Sequence, residues 1–123
     1  MPSKSEPKIL IAEDEKSMAK AMGLKFQKSG FDPTLVFDGE EAIAALEKSS
    51  FDLLLLDLIM PKLDGFGVLE KIKEKKIKNK VIVTSNLSQE EDIKRAKGLG
   101  AVDYIVKSNT QIQDIVNKVK TLV

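Results

Sequence analysis

Apolar residues fall in short unbroken runs, separated by longer stretches in which they recur every three or four positions. The runs cover residues 8–12, 34–37, 53–56, 81–84 and 101–106, and each reads as a strand. Leu53-Leu54-Leu55-Leu56 does not alternate with polar residues. Both its faces are therefore expected to be buried, as in a central strand of a parallel sheet covered on both sides by helices. Between the runs the period changes. Met18, Met22 and Phe26 sit four apart and share one helix face. Ala42, Ala45 and Leu46 do the same within 40–48, Phe66, Leu69 and Ile72 in a third helix, and Ile112, Ile115, Val116, Val119 and Val123 in the last. The fourth helix has only Ile93 and Ala96 as anchors and should be the least firmly packed. Ser29-Gly30 closes the first helix. Asp38-Gly39 marks a turn, and residues 60–65 form a loop with Pro61 and Gly65 as breakers. Ser88 and Glu91 have the spacing of a capping box for the fourth helix, and Ser108 and Gln111 offer a similar one for the fifth. Strict alternation of five strands with five helices predicts an α/β fold, a three-layer doubly wound parallel sheet with right-handed crossovers.

Composition narrows the chemistry. The 123 residues suit one domain. A net charge of +1 is too small for a protein built to coat nucleic acid. Cysteine and histidine are both absent, which removes disulfides, thiolate catalysis, most zinc sites and histidine-based mechanisms. Carboxylates, lysines, hydroxyls and backbone remain. No stretch approaches the length of a membrane span, and residues 1–7 read as a short flexible tail without the apolar core of a signal peptide. A cytoplasmic location is the expectation. The lysines at 71, 73, 75, 76, 78 and 80 read as a solvated face.

In a parallel sheet all strands end on one edge, where ligands bind in open α/β folds. The residues at those ends are Glu13 and Asp14, Asp57, Thr84 and Lys107. Carboxylates crowded together repel one another, and one is driven toward protonation unless a cation intervenes. Mg²⁺ resolves the conflict with carboxylate and phosphate oxygens as ligands. Asp57, the central carboxylate, is then the natural nucleophile toward a phosphoryl group, with Lys107 neutralising a phosphoryl oxygen and Thr84 donating a hydrogen bond. Each residue also has an ordinary reading: Asp14 as a helix cap, Thr84 as a strand former, Lys107 as a solvated lysine, Tyr104 as a half-buried sheet aromatic. Their coincidence at strand ends gives the chemical reading its weight.

Over residues 8–123 the chain resembles the receiver domain of two-component response regulators. The resemblance rests on Ile9-Leu10-Ile11-Ala12-Glu13-Asp14-Glu15, on the stretch from Asp52 through Asp57 to Met60-Pro61-Lys62-Leu63-Asp64-Gly65, on Val81-Ile82-Val83-Thr84-Ser85, and on residues 98–107 ending in Tyr104-Ile105-Val106-Lys107. It implies a flavodoxin-like sheet of order 2-1-3-4-5. It implies that Asp57 accepts a phosphoryl group from a sensor histidine kinase or phosphotransfer protein. It further implies Mg²⁺ held by Glu13 or Asp14, by Asp57 and by the Ile59 backbone carbonyl, with Thr84 and Tyr104 as a switch pair and Lys107 as the phosphate partner. Two positions depart from the family pattern: Ser108 stands where proline usually follows the lysine, and Ser85 where alanine usually follows the threonine. A cis bond costs roughly 0.5–1 kcal/mol before proline but about 2.5–4 kcal/mol before serine, so a trans Lys107–Ser108 bond is expected.

Two rival functions fit less well. A Mg-dependent phosphatase with an aspartate nucleophile usually carries a second aspartate two residues on, and here that position is Ile59. A flavodoxin-like binder needs a small-residue loop after strand one to cradle phosphate, whereas Glu13-Asp14-Glu15 repels anions. The expectation is a stand-alone phosphorelay receiver, a phosphoprotein rather than an enzyme with turnover on other substrates. Phosphorylation would alter a downstream protein-binding face made by helix four, strand five and helix five. The chain would be a monomer or a phosphorylation-dependent dimer, with no direct nucleic-acid contact and no membrane insertion.

Overall fold

The computed structural model describes residues 6–123; residues 1–5, most of the expected tail, lie outside the described residues. The first half runs β1 (Lys8–Ala12), α1 (Lys16–Lys28), β2 (Asp32–Val36), α2 (Gly39–Lys48) and β3 (Leu53–Leu56). The second half runs α3 (Gly65–Glu74), β4 (Val81–Ser85), α4 (Glu90–Gly98), β5 (Asp103–Val106), a short 3-10 turn (Lys107–Asn109) and α5 (Ile112–Lys120). All strand pairs are parallel, in the order β2-β1-β3-β4-β5. No helix among the described residues is long and apolar enough to cross a membrane.

The four leucines of β3 are fully buried and divide between two cores. Leu54 and Leu56 pack with Ala42, Leu46, Leu69 and Ala96 from α2, α3 and α4. Leu53 and Leu55 pack with Met22, Phe26, Ile115, Val116 and Val119 from α1 and α5. Each such side chain contributes about 1.5–3 kcal/mol on leaving water, so the strand ending at Asp57 is among the most firmly held parts of the molecule. By contrast, α4 buries only Ala96 fully. Its Arg95 guanidinium lies over the Phe66 ring of α3, 4.1 Å from the centroid, a cation–π contact that ties the loosest helix to its neighbour.

Local reading of the sequence failed at several boundaries. β2 begins at Asp32 and includes Pro33; it pairs only with β1, and an edge strand tolerates the missing N–H. Phe37 lies outside it. β5 begins only at Asp103, because the Ala101 N–H bonds back to the Ala96 carbonyl and ends α4 instead. Asp38 is not merely a turn residue. It caps α2, accepting from the Glu41 N–H at 2.8 Å, and the helix starts at Gly39, where any Cβ would collide with the Leu63 carbonyl. Neither proposed capping box forms. Gln89 and Gln111 are the caps of α4 and α5, neither through its side chain. Ser108 is consumed by the 3-10 turn. Val123 lies beyond the end of α5 and is exposed. The Lys107–Ser108 bond is trans, as the energetics require; no peptide bond among the described residues is cis.

The first residue of α3 packs directly against the exit of β3. A Cβ on Gly65 would stand 2.5 Å from the Asp57 carbonyl oxygen and 2.6 Å from the Leu58 Cα. Both are backbone atoms and cannot swing aside. Gly65→Ala is therefore expected to lower stability by roughly 1–3 kcal/mol, the usual cost of overpacking, and to displace Asp57. Urea denaturation measures this; an unchanged midpoint would mean that the loop slides away freely.

Candidate functional site

The carboxylate edge is assembled by the sheet. β1 delivers Glu13, whose N–H donates to the Val36 carbonyl at 3.0 Å. β3 delivers Asp57, whose N–H donates to the Ala12 carbonyl at 3.0 Å. These two backbone bonds extend the β1–β2 and β1–β3 ladders by one residue, so both side chains start from rigid positions. Glu13, Asp57 and Thr84 are buried, and Asp14 is exposed at the rim. One carboxylate oxygen from each of Glu13, Asp14 and Asp57 lies within 4.8 Å of the others.

Lys107 enters from the end of β5. Its Nζ donates to Glu13 Oε1 at 2.6 Å and to Asp57 Oδ2 at 3.1 Å. The remaining oxygens accept from backbone: Glu13 Oε2 from the Glu15 N–H at 3.1 Å, and Asp57 Oδ1 from the Ile59 N–H at 3.3 Å. Burial pushes the Asp57 carboxyl above its usual 3.8; Lys107 opposes this, and the neighbouring Glu13 charge adds to it. Burial alone would lower the Lys107 ammonium. The hydrogen bond to Glu13 and the charges of Asp57 and Glu13 more than reverse that and hold it above 10.5. The site is thus two buried carboxylates sharing one lysine, with a third carboxylate at the rim. Its donor set, all hard oxygen at close spacing, fits a small divalent cation such as Mg²⁺.

Glu13, Asp14, Asp57 and Lys107 meet on this one edge; Thr84 is buried in β4, one residue before the strand's last, Ser85. Asp14 does not cap α1; the cap position belongs to Glu15, with no side-chain bond. Ile59 is 57% exposed beside Asp57, and its N–H rather than its carbonyl makes the visible contact to that carboxylate. Tyr104 is half-buried, and its hydroxyl donates to the Leu87 carbonyl at 2.6 Å. Sequence reasoning missed two features. Lys107 sits closer to Glu13 than to Asp57, a choice between two acids that no spacing reveals. Ser85, fully buried, accepts the Leu87 N–H at 3.2 Å and so joins the turn that holds Tyr104; its departure from alanine was the available signal.

The family model of the response regulator receiver domain matches residues 9–120. The transcriptional regulatory protein DltR of Streptococcus agalactiae is 35% identical over 100 residues, covering 81% of this chain and 45% of DltR. The chain thus spans about half the length of the curated relatives it matches. Among solved structures, the receiver domain of the Francisella response regulator 1452 superposes with a TM-score of 0.89 at 33% identity, covering 94% of this chain and 95% of that one. The response regulator TrrA of Thermotoga maritima, solved in complex with Mg²⁺ and a beryllium fluoride, superposes with a TM-score of 0.84 at 28% identity, covering 95% and 99%. With the family model matching residues 9–120 and relatives more than 30% identical over four fifths of the chain, this chain belongs to the response regulator receiver domain family of two-component signalling.

Proposed function

We propose that Asp57 is the phosphoacceptor of this receiver, and that phosphorylation there alters a protein-binding face built from α4, β5 and α5. The observation that carries the reading is the Lys107 bridge, with Nζ within 3.1 Å of the buried Asp57 and 2.6 Å of Glu13. In the transfer, an Asp57 carboxylate oxygen forms a bond to phosphorus. The bond from phosphorus to a donor histidine nitrogen breaks, its electron pair stays on the imidazole, and the ring, already protonated on its other nitrogen, is released neutral. With acetyl phosphate the leaving group is acetate. Glu13, Asp14, Asp57 and the Ile59 carbonyl would hold Mg²⁺, which would supply positive charge against the phosphoryl oxygens. Lys107 stands ready to exchange a carboxylate partner for a phosphoryl oxygen, and Thr84 offers a hydroxyl donor from the adjacent strand. The product carries about −1.5 to −2 charge if it resembles other phosphorylated side chains. Thr84 turns toward that charge, and Tyr104 occupies the space behind it. A two-state equilibrium in the weakly anchored α4 and its neighbours is thereby biased toward partner binding. The phosphodonor is a sensor histidine kinase or a phosphotransfer protein.

The metal half of this reading is tested by linkage. Only the folded chain assembles the acidic edge, so Mg²⁺ raises the melting temperature of the wild type. Asp14→Ala removes the exposed ligand without touching the buried pair and is expected to blunt that rise. An Mg²⁺-dependent shift equal to the wild type's would place the metal elsewhere. The same preparations separate the rival functions. A receiver takes up one phosphoryl group per chain from acetyl phosphate, whereas a phosphatase releases phosphate through many turnovers.

A further inference from the structure

Ser85 is the last residue of β4, next to Thr84 in sequence and completely buried. A hydroxyl there is not needed for packing, and the position follows directly on a residue of the proposed switch. Its Oγ accepts the Leu87 N–H at 3.2 Å, closing a tight turn at the exit of the strand. That turn directs the Leu87 carbonyl to the Tyr104 hydroxyl, which donates to it at 2.6 Å. Tyr104 pairs in register with Val83 on the neighbouring strand, and its hydroxyl reaches the turn that follows Ser85. Leu87, Leu99 and Tyr104 pack against the same core cluster, which seats the ring at this point.

We infer that Ser85 is a positioning residue for Tyr104: its hydroxyl fixes the turn after β4 so that the Leu87 carbonyl captures the phenol and holds it half-buried against that turn. The functional weight of this inference rests on Tyr104 acting with Thr84 as the switch pair. An alanine at 85 would leave the Leu87 N–H without its acceptor and the Leu87 carbonyl free to turn, and the phenol would lose the partner that holds it. Ser85 then sets how far the α4–β5–α5 face is arranged before any phosphoryl group arrives. The charged groups near the phenol are Asp92 on α4 and Asp57 at the end of β3; they add to burial in holding the phenol above 10.0, while Ser85 opposes them.

The test exploits composition. Tyr104 is the sole tyrosine and the chain has no tryptophan, so ultraviolet titration and intrinsic fluorescence report this residue alone. In the unphosphorylated full chain, Ser85→Ala is expected to release the phenol to water. Its titration midpoint should then fall toward 10.0 even though the opposing influence of Ser85 has been removed, and acrylamide should quench its fluorescence more strongly. Amide hydrogen exchange at Leu87 should accelerate in the same variant. A midpoint that stays or rises, or a Leu87 amide that exchanges as in the wild type, overturns the inference. Acetyl phosphate labelling of the wild type is run alongside. Its failure would remove the phosphoacceptor reading while leaving the Ser85 result to be judged on its own.

Discussion

Asp57→Asn is expected to abolish labelling by acetyl phosphate and Mg²⁺ while making the metal-free protein more stable. The first effect follows from chemistry, because an amide cannot supply the nucleophilic oxygen pair of a carboxylate. The second follows from the site's electrostatics. Burial and the adjacent Glu13 raise the Asp57 carboxyl above 3.8 in the folded state, so ionising it costs folding free energy. That cost is absent below the unfolded value, where Asp57 is protonated in both states, and grows as pH rises through the folded one. The variant should therefore melt with the wild type at strongly acid pH and above it at neutral pH in a chelator. Lys107 keeps its 2.6 Å contact with Glu13 and is not orphaned by the change. Adding Mg²⁺ should narrow or reverse the gap, since the variant has lost a ligand. Labelling of the variant at the wild-type level would eliminate Asp57 as acceptor. A lower neutral-pH melting temperature in chelator would refute the strain assigned to its charge.

Lys107→Met should do the opposite to stability. It removes the only side-chain cation within salt-bridge reach of Glu13 and Asp57 among the described residues, and Glu13 is 1% exposed. Breaking a fully enclosed ion pair from one side costs about 3–5 kcal/mol; this edge opens to water at Asp14, so the loss should be smaller, roughly 1–3 kcal/mol. The sign with pH is the reverse of the aspartate case. The Lys107 ammonium is held above 10.5, so its contribution is fully present below that value and is lost as pH rises through the higher folded one. The gap between wild type and variant should thus persist at neutral pH and close only in strong alkali. Mg²⁺ should stabilise the variant more than the wild type, because a competing cation has been removed from the carboxylates. Labelling should slow sharply as well. Equal metal-free stability of the two proteins would show that Lys107 does not hold the buried pair.

How much of this was legible in the sequence depended on whether local pattern or tertiary contact made the decision. The unbroken leucines of β3 announced a strand buried on both faces, and they are fully buried in two separate cores. Residues at strand ends converge because parallel strands share an exit edge, so the meeting of Glu13, Asp14, Asp57 and Lys107 was findable without a structure. The trans bond at Ser108 was also legible, being set by covalent energetics. Helix caps were not. Ser88 and Ser108 carry the right spacing, but the chain enters α4 and α5 through Gln89 and Gln111, with the preceding 3-10 turn using up Ser108. Asp38 looked like half of a turn because its partner Gly39 is needed for a contact with Leu63 from a distant loop. The preference of Lys107 for Glu13, 94 positions away, is a matter of ångströms that no periodicity encodes.

The central claim is that the phosphoryl group goes to Asp57, and reductive trapping tests it most directly. The wild type is incubated with acetyl phosphate and Mg²⁺, the acyl phosphate is reduced with borohydride, and peptides are sequenced by mass spectrometry. Trypsin cleavage after Lys48 and Lys62 isolates residues 49–62, which contain only Asp52 and Asp57 as acids. The predicted result is homoserine at position 57 and unmodified aspartate at 52, dependent on Mg²⁺. Homoserine at 52, reduction at Glu13 or Asp14, or no reduced residue in a protein that labels would contradict it.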